Sequence, residues 1–316
     1  SEIIYTSGAS ESNNTALKGI ALKYQNRGKH IITTNFEHSS IYAPLDYLSS
    51  LGFEVSFVKT DANGLVDMED LKSLMRDDTI LVSINMINSE IGIKQDIDKI
   101  GAFLKSYPKC FFHVDITQAL GKVKLDLKNV DLASCSAHKI FGIKGIGALI
   151  KKEKIDILPL IHGGKSTTIY RSGTPALPLI VSFARAMRLA LEDLDKKYNH
   201  VKELNDYLKE KLSEFDKVRI NSNDYSIPHI LNISVLGVKP ETMLHALEKY
   251  EIYISTQSAC SSKSSISKAV LSLTNDKERA SSSIRVSISC ITTKAEIDYF
   301  LEKFKICYEE LEEVSR

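Results

Sequence analysis

A lysine and an aspartate each follow a short apolar stretch of this chain. Lys139 ends the sequence Ser-Ala-His-Lys, and Asp115 ends His-Val-Asp. An amine and a carboxylate at neighbouring strand ends suit pyridoxal 5'-phosphate, because lysine can form a Schiff base with its aldehyde and the acid can keep its pyridine nitrogen protonated. Taken singly, such residues more often lie on the surface with no shared role. The pair alone is a weak signal for a site of this cofactor, and the rest of the chain supplies the other parts that such a site needs.

Several residues near other strand ends could complete this site. The segment Gly8-Ala9-Ser10 leads from a strand into a helix, and its small side chains would let backbone amides at a helix N-terminus approach a phosphate. An ordinary helix cap is the alternative there. His38 follows the second strand, at the edge where ligands gather in open sheets, and its imidazole could stack on a cofactor ring or relay protons. Gln118 could donate to the cofactor's phenolic oxygen.

The later part of the chain holds three more candidate residues, one each for a phosphate, a sulfur atom and a carboxylate. Thr174, which precedes a helical pattern, could offer its hydroxyl to a phosphate. Cys260 lies among small polar residues on a predicted loop, where packing does not explain a cysteine, so it is predicted to be a reactive thiol. Arg285 opens a predicted strand, and its guanidinium could bind a substrate carboxylate through two parallel hydrogen bonds. A surface arginine is the alternative for that position.

The elements that would position these residues alternate between strand and helix. Short runs rich in β-branched and aromatic residues predict strands at 3–6, 30–33, 53–58, 80–84, 110–114, 132–135 and 147–150. Helical patterns occupy 12–27, 42–51, 67–75 and 97–106. Nearly continuous apolar strands separated by helices predict an α/β fold, with a mostly parallel sheet covered by helices on both faces.

The later part of the chain predicts a second, smaller α/β domain. One long helical pattern covers 177–215, and strands are then predicted at 230–235, 252–255 and 284–288, with helices at 241–249 and 294–311. We therefore expect a large cofactor-binding domain at 1–195 and a small C-terminal domain at 196–316 that carries the Cys260 loop.

Composition excludes several classes of partner. The 316 residues carry 41 basic and 40 acidic side chains, a net charge of +1, which gives no electrostatic reason to bind nucleic acid or an anionic membrane. The apolar runs are too short for a transmembrane helix, and the first residues resemble a strand more than a signal peptide. Five cysteines without a CxxC pair favour a reducing cytoplasm and no bound metal.

Taken together, these motifs resemble cysteine desulfurases of the NifS/IscS type, in the class V aminotransferase group of fold-type I pyridoxal phosphate enzymes. The resemblance covers essentially the whole chain. Its matching segments are 6–14, 29–34, 76–84, 90–92, 113–118, 136–142, 144–149, 170–174, 258–260 and 282–285.

The resemblance implies a role for each candidate residue. Lys139 would be the Schiff-base lysine, Asp115 the partner of the pyridine nitrogen and His38 the residue stacked on the ring. Gln118 would contact the phenolic oxygen, and Arg285 would bind the substrate carboxylate. The residues expected to hold the phosphate are Ala9, Ser10, Ser136, His138 and, from the second subunit of a homodimer, Thr174.

The implied reaction removes sulfur from L-cysteine, leaving L-alanine and a persulfide on Cys260. The persulfide would serve a sulfur acceptor or an iron–sulfur cluster scaffold protein. Two departures from the family pattern bear on activity. Ser89 stands where the family has an asparagine that touches cofactor and substrate, and the chain opens at the strand before the phosphate loop, whereas family members carry a further segment there. We therefore expect cofactor binding to be retained better than catalysis.

Two other functions remain open on the sequence alone. The departures would also fit a degenerate paralogue that acts as a dimeric scaffold or sulfur-relay partner. A related selenocysteine lyase or aminotransferase is the other alternative, although Cys260 within Ser-Ala-Cys argues against an aminotransferase.

Overall fold

The computed structural model describes residues 2–256 and 266–314, which form two compact units. The first contains the described residues of Ser1–Asp61, Leu65–Ile87 and Gln95–Leu194. The second contains those of Ala62–Gly64, Asn88–Lys94 and Asp195–Arg316. Nothing in the sequence pattern indicated that the two short early stretches would join the second unit. In the described ranges, no helix is both long and apolar enough to cross a membrane.

A seven-stranded sheet forms the centre of the first unit. Its strands are β1 (Ile3–Thr6), β2 (His30–Thr34), β3 (Glu54–Val58), β4 (Thr79–Asn85), β5 (Phe111–Asp115), β6 (Leu132–Ser136) and β7 (Gly147–Lys151). They lie in the order β1-β7-β6-β5-β4-β2-β3, and only the pairings of β7 with β1 and β6 are antiparallel. Every residue of β2, β4 and β6 is buried, as expected for a sheet covered on both faces. The predicted fold class is confirmed.

Five helices and one short turn accompany this sheet. They are α1 (Ala9–Tyr24), α2 (Ser39–Ser50), α3 (Met68–Leu74), α4 (Ile97–Leu104), α5 (Leu177–Leu191) and the 3-10 turn Ala137–Ile140. α1 packs Leu17 and Ile20 into a core that also holds Ile4 and Leu149. This packing fixes the start of α1 beside the ends of the central strands.

The expectation of one long helix over 177–215 is wrong. α5 ends at Leu191, and α6 (Leu194–Leu212) follows as a separate helix. The chain turns at Asp193, whose φ of 51° is left-handed, a conformation that aspartate tolerates better than most residues because its short side chain can hydrogen-bond locally. Helical periodicity continues on both sides of the turn, so the pattern alone did not reveal it.

A three-stranded antiparallel sheet forms the centre of the second unit. Its strands, β8 (Val218–Ile220), β9 (Ile230–Val235) and β10 (Ser283–Ser287), lie in the order β10-β9-β8. Beside α6, its helices are α7 (Pro240–Glu248), α8 (Lys268–Thr274), α9 (Lys277–Ser281) and α10 (Lys294–Val314). Leu204, Leu231, Ile284 and Phe304 lie in one buried core.

The strand predicted at 252–255 is also wrong. Only Ser255 pairs with a strand, through an isolated bridge to Arg285. Ile252 and Ile254 are partly buried against the core, which explains the alternating pattern that predicted a strand. β8, α8 and α9 were not predicted, because each is too short to show a clear period.

Candidate active site

The parallel strands of the first unit bring several predicted site residues to one edge of the sheet. β2, β5 and β6 run in the same direction, so their carboxyl ends lie at the same edge. Asp115 is the last residue of β5, and His38 follows β2. Lys139 follows β6 on the 3-10 turn, where it is exposed. This is the edge at which open α/β sheets bind ligands.

Asp115 is buried and both of its carboxylate oxygens accept hydrogen bonds. It is 7% exposed, and Oδ1 accepts from the Thr117 N–H at 2.9 Å. Oδ2 accepts from Asn13 Nδ2 at 2.8 Å. A carboxylate has about four lone-pair sites, so Asp115 has room for a further donor such as a protonated ring nitrogen.

His38 is held by the residue two positions after it. It is the N-cap of α2, and its Nδ1 accepts from the Ser40 N–H at 3.1 Å and lies 2.8 Å from Ser40 Oγ. Ser40 Oγ in turn lies 2.9 Å from Asn13 Nδ2. Asn13 therefore connects His38 with Asp115 through Ser40.

Asn13 and Ser40 were not predicted as site residues from the sequence. Asn13 lies on the buried face of α1, where Leu17 and Ile20 face the core, and it is 0% exposed. A polar residue on the apolar face of a helix is the signal that could have found it. Ser40 resembles any polar residue in the first turn of a helix, so its sequence context offers no such signal.

The predicted phosphate loop lies close to the end of β6. A Cβ on Gly147 would lie 2.7 Å from the Gly8 Cα, so a glycine is needed where β7 meets this loop. A Cβ on Gly8 would lie 3.7 Å from Ser136 Oγ, which places that hydroxyl beside the loop. Ser136 Oγ also lies 2.7 Å from His138 Nδ1. Gly8, Ser136 and His138 thus come together ahead of the N-terminus of α1.

Lys139 and Lys144 bring positive charge near this loop, and the carboxylate of Glu11, which accepts from the Ser7 N–H at 2.7 Å, is paired with Arg171. Partial desolvation, followed by the charges of Lys139 and Lys144, lowers the pKa of His138. Ala9 is half-buried and Ser10 is exposed at the first residues of α1. Unpaired N–H groups, a helix dipole and nearby lysines together favour an anion at this position.

Two predicted residues have other surroundings. Gln118 Oε1 accepts from Lys122 Nζ at 3.0 Å, so its amide contacts a neighbour on its own segment. Thr174 is exposed. Arg171, three positions before Thr174, pairs its Nε with Glu11 Oε1 at 3.0 Å and so ties this stretch to the start of α1.

A buried glutamate next to His38 was also missed. Glu37 Oε1 accepts from Thr34 Oγ1 at 2.6 Å and from the Asn85 N–H at 3.0 Å. Burial raises the pKa of Glu37 to about 8, the hydrogen bonds from Thr34 and Asn85 oppose this shift, and the charge of Asp115 adds to it. Glu37 is therefore largely protonated at neutral pH.

The donor set near Asp115 fits pyridoxal phosphate. A carboxylate suits a ring nitrogen, an imidazole suits a ring face, and a small-residue loop at a helix N-terminus suits a phosphate. Among the described residues, buried polar atoms without a hydrogen-bond partner include Asn13 Oδ1, Asn85 Oδ1 and Thr117 Oγ1. Since buried polar groups are normally satisfied, these atoms mark a place for a polar ligand or water. The described ranges contain no cluster of three or more His, Cys, Asp or Glu side chains suited to a metal ion.

The second unit holds Arg285 and Ser89. Arg285 Nη1 donates to the Ser89 carbonyl at 2.7 Å, and Nη2 donates to Ser255 Oγ at 3.1 Å. Its buried Nε has no hydrogen-bond partner in the described part of the chain. Burial lowers the pKa of Arg285, and the charge of Glu90 opposes that shift. Cys260 lies outside the described residues.

Comparisons with known proteins point to one family. The aminotransferase class-V family model matches residues 1–300. The chain is 43% identical over 320 residues to a protein named cysteine desulfurase IscS from Vibrio cholerae serotype O1, covering 99% of this chain and 78% of that protein. A solved NifS-like protein is 36% identical, with a TM-score of 0.91 over 96% of this chain and 82% of its own. A NifS-like protein from Rickettsia africae is 31% identical, with a TM-score of 0.87 over 98% and 82%.

Proposed function

The chain belongs to the aminotransferase class-V family, and we propose that it is a pyridoxal phosphate-dependent cysteine desulfurase that converts L-cysteine to L-alanine and a protein-bound sulfur. The observation that carries the proposal is the meeting of Asp115, His38 and the Lys139 turn at one edge of the sheet. Desulfurases at 43% identity over nearly the whole chain support the same function.

The residues of the first unit would hold the cofactor. When bound, pyridoxal phosphate supplies an electron sink for charge that develops at the substrate's α-carbon. Lys139 would supply the amine that holds the aldehyde end, and the same amine can accept the α-proton. Asp115 would accept a hydrogen bond from the ring nitrogen, and Gln118 would contact the phenolic oxygen. His38 would cover the ring face.

The phosphate would be held at the N-terminus of α1. Backbone N–H groups of Ala9 and Ser10, the hydroxyl of Ser136 and the imidazole of His138 would contact it. Gly147 supports this arrangement, because a residue without a side chain at this position lets the loop at Gly8 approach the end of β6.

Two residues of the second unit would act on the substrate. Arg285 would bind the carboxylate of L-cysteine, and its buried Nε without a partner among the described residues supports a further acceptor at this guanidinium. Ser89 would lie beside it, since its carbonyl already accepts from Nη1. The thiolate of Cys260 would attack the substrate sulfur, so that an S–S bond forms as the C–S bond breaks. The carbon fragment takes up a proton and leaves as alanine.

We further propose a homodimer, in which Thr174 contacts the phosphate in the partner subunit. Exposed apolar side chains near the site support a buried contact with a second copy: Phe141 is 71% exposed, Leu177 65% and Val181 60%. Leu177 and Val181 are four residues apart on α5 and therefore share a face.

The sulfur on Cys260 would pass to an acceptor or cluster scaffold protein. The four described cysteines are free, which supports a reducing, cytoplasmic location.

Two variants test the proposed function. Lys139→Ala should lose the visible absorbance of the bound cofactor and all alanine formation. Cys260→Ala should keep the absorbance but lose alanine and sulfide formation, because the thiol acts after the substrate has bound. Lys109→Ala, at an exposed lysine, and Cys290→Ala are matched controls and should behave like the wild type. A wild-type chain that binds no pyridoxal phosphate would contradict the proposal, and activity retained in Cys260→Ala would exclude that thiol as the sulfur carrier.

A further inference from the structure

Three hydrogen bonds in series join Asp115 to His38. Asn13 Nδ2 lies 2.8 Å from Asp115 Oδ2 and 2.9 Å from Ser40 Oγ. Ser40 Oγ lies 2.8 Å from His38 Nδ1. Asn13 is 0% exposed, Asp115 7% and Ser40 9%, so water competes little for these contacts. The four residues come from α1, α2 with its cap, and the end of β5.

The chemistry of Asp115 sets the direction of each of these bonds. A carboxylate only accepts, so the amide of Asn13 must turn its NH2 group towards Asp115. The second hydrogen of that NH2 group points to Ser40 Oγ, which therefore accepts. The hydroxyl hydrogen of Ser40 is then left for His38 Nδ1. The reversed amide would place Asn13 Oδ1 against a carboxylate oxygen, which is repulsive.

The backbone adds a second donor at the same ring nitrogen. The Ser40 N–H donates to His38 Nδ1 at 3.1 Å. A nitrogen that accepts from both the hydroxyl and the N–H must carry its lone pair there. A neutral imidazole has one protonated nitrogen, so the hydrogen must lie on Nε2.

We propose that Asn13 and Ser40 are positioning residues that transmit the charge of Asp115 to His38 and fix its neutral ring with the proton on Nε2. We call this set the Asn13–Ser40 relay. The relay deepens the proposed function and rests on it, because Asp115 and His38 are the cofactor's partners there. Neither relay residue needs to touch the cofactor or the substrate.

The relay assigns His38 the role of a hydrogen-bond donor. With Nδ1 occupied by two donors and the proton on Nε2, the neutral ring has no lone pair free to take a proton. His38 therefore keeps the Nε2 proton, whose loss would leave an imidazolate, and donates a hydrogen bond through it. The α-proton is then left to the amine of Lys139.

Histidine-selective 15N NMR of the full chain tests the relay directly, with and without added pyridoxal phosphate. The His38 signals are assigned by their absence in His38→Gln. We expect a neutral ring that is protonated at Nε2, with Nδ1 shifted upfield because it accepts hydrogen bonds. Ser40→Ala should move the Nδ1 signal downfield by several ppm, and Asn13→Ala should move it in the same direction by less. Ser40→Thr keeps a hydroxyl and should restore the wild-type signal.

Matched control variants distinguish loss of the relay from a general disturbance of the structure around His38. Ser39→Ala removes the neighbouring hydroxyl on α2, and Asn14→Ala removes the neighbouring amide on α1, whose Nδ2 donates to Ser10 O. Neither should move the His38 signals. If Asn13→Ala does not fold, as judged by circular dichroism, Asp115→Asn keeps the shape and removes the charge that sets the direction, and it too should move the Nδ1 signal.

Two results would overturn the relay. One is a neutral His38 protonated at Nδ1 in the wild type. The other is an Nδ1 signal that stays unchanged in folded Ser40→Ala together with Asn13→Ala or Asp115→Asn. The outcomes are separable from the proposed function: a chain that forms alanine but shows no shift refutes the relay alone, and a chain that shows the shift but forms no alanine refutes the desulfurase alone.

Discussion

The two units hold their candidate site residues by different means. In the first unit, side-chain contacts through Asn13 and Ser40 join Asp115 to His38, and each of these two also accepts from one backbone N–H. In the second unit, Arg285 lies in a backbone pairing with Ser255 in both directions, at 3.1 and 2.6 Å, and its Nη1 donates to a backbone carbonyl. An arrangement of side chains depends on the identity of each residue, whereas an arrangement of backbone depends on the fold. The first site should therefore be the more sensitive to substitution of its neighbours.

The largest effect is expected for Asp115→Ala. The change leaves Asn13 Nδ2 and the Thr117 N–H without their shared acceptor. An unsatisfied buried donor costs about 1–3 kcal/mol, so we expect the free energy of unfolding to fall by roughly 2–5 kcal/mol. Urea denaturation measures this loss, with the exposed Asp126→Ala as control. A loss no larger than that of the control would mean that side-chain contacts do not organise the first site.

Arg285→Lys tests the second site. Lysine carries the charge but cannot offer the planar, forked donors that bind a carboxylate in parallel. Hydrogen bonds to charged groups contribute about 1.5–3 kcal/mol, so KM for L-cysteine should rise roughly 10–100-fold with a smaller change in kcat. Arg279→Lys is the matched control, because Arg279 contacts Asn221 and the Ile220 carbonyl within the same unit. A larger rise in KM for the control would contradict the assignment of Arg285.

Glu37→Gln tests whether the protonation of Glu37 makes the stability of the protein depend on pH. Burial raises the pKa of Glu37 from an ordinary 4.5 to about 8, so the folded state binds this proton more tightly than the unfolded state. The stability that it contributes is full below about pH 4.5 and is lost as the pH rises through about 8, at roughly 1.4 kcal/mol per pH unit. Glutamine does not titrate, so the variant should lack this decline.

Wild type and Glu37→Gln must be compared at each pH, because His113 also changes the stability with pH. Burial lowers the pKa of His113 from 6.5 to about 4, so its contribution is lost as the pH falls through that range, opposite to that of Glu37. The difference in unfolding free energy between wild type and Glu37→Gln cancels the contribution of His113. A difference that stays constant from pH 5 to 8 would show that Glu37 is ionised in the folded protein.

The smallest effect is expected for Ser89→Ala. Ser89 binds Arg285 through its backbone carbonyl, which alanine retains. KM for L-cysteine should therefore change by no more than about 0.5 kcal/mol in equivalent free energy, or roughly twofold. Steady-state kinetics of Ser255→Ala, which removes the contact of Ser255 Oγ with Arg285 Nη2 at 3.1 Å, would sharpen the comparison. A large loss in Ser89→Ala would show that its hydroxyl has a role of its own.

Much of the fold could be predicted because its signals are local. The buried strands β2, β4 and β6 are short apolar runs, and the ends of β5 and β6 carry Asp115 and the Lys139 turn at positions that the sequence marks. The resemblance to cysteine desulfurases is likewise confirmed by the comparisons. The roles of the individual site residues stay predictions.

The errors occurred where one pattern fits two structures. The periodicity over 177–215 fits one helix or two, and the left-handed residue at Asp193 decides between them. Ile252 and Ile254 alternate as in a strand, yet they pack against a core without a strand of their own.

The sequence by itself determined the strands of the first unit, the family and the chemical types gathered at the sheet edge, because apolar runs and motifs are properties of short segments. Only the tertiary structure decided which polar groups meet. Asn13 and Asp115 are 102 positions apart, and their contact exists because α1 packs beside β5. Burial, which removes water as a competing partner, raises the pKa of Glu37, and the Asp115 carboxylate, which can only accept, sets the direction proposed for the Asn13–Ser40 relay.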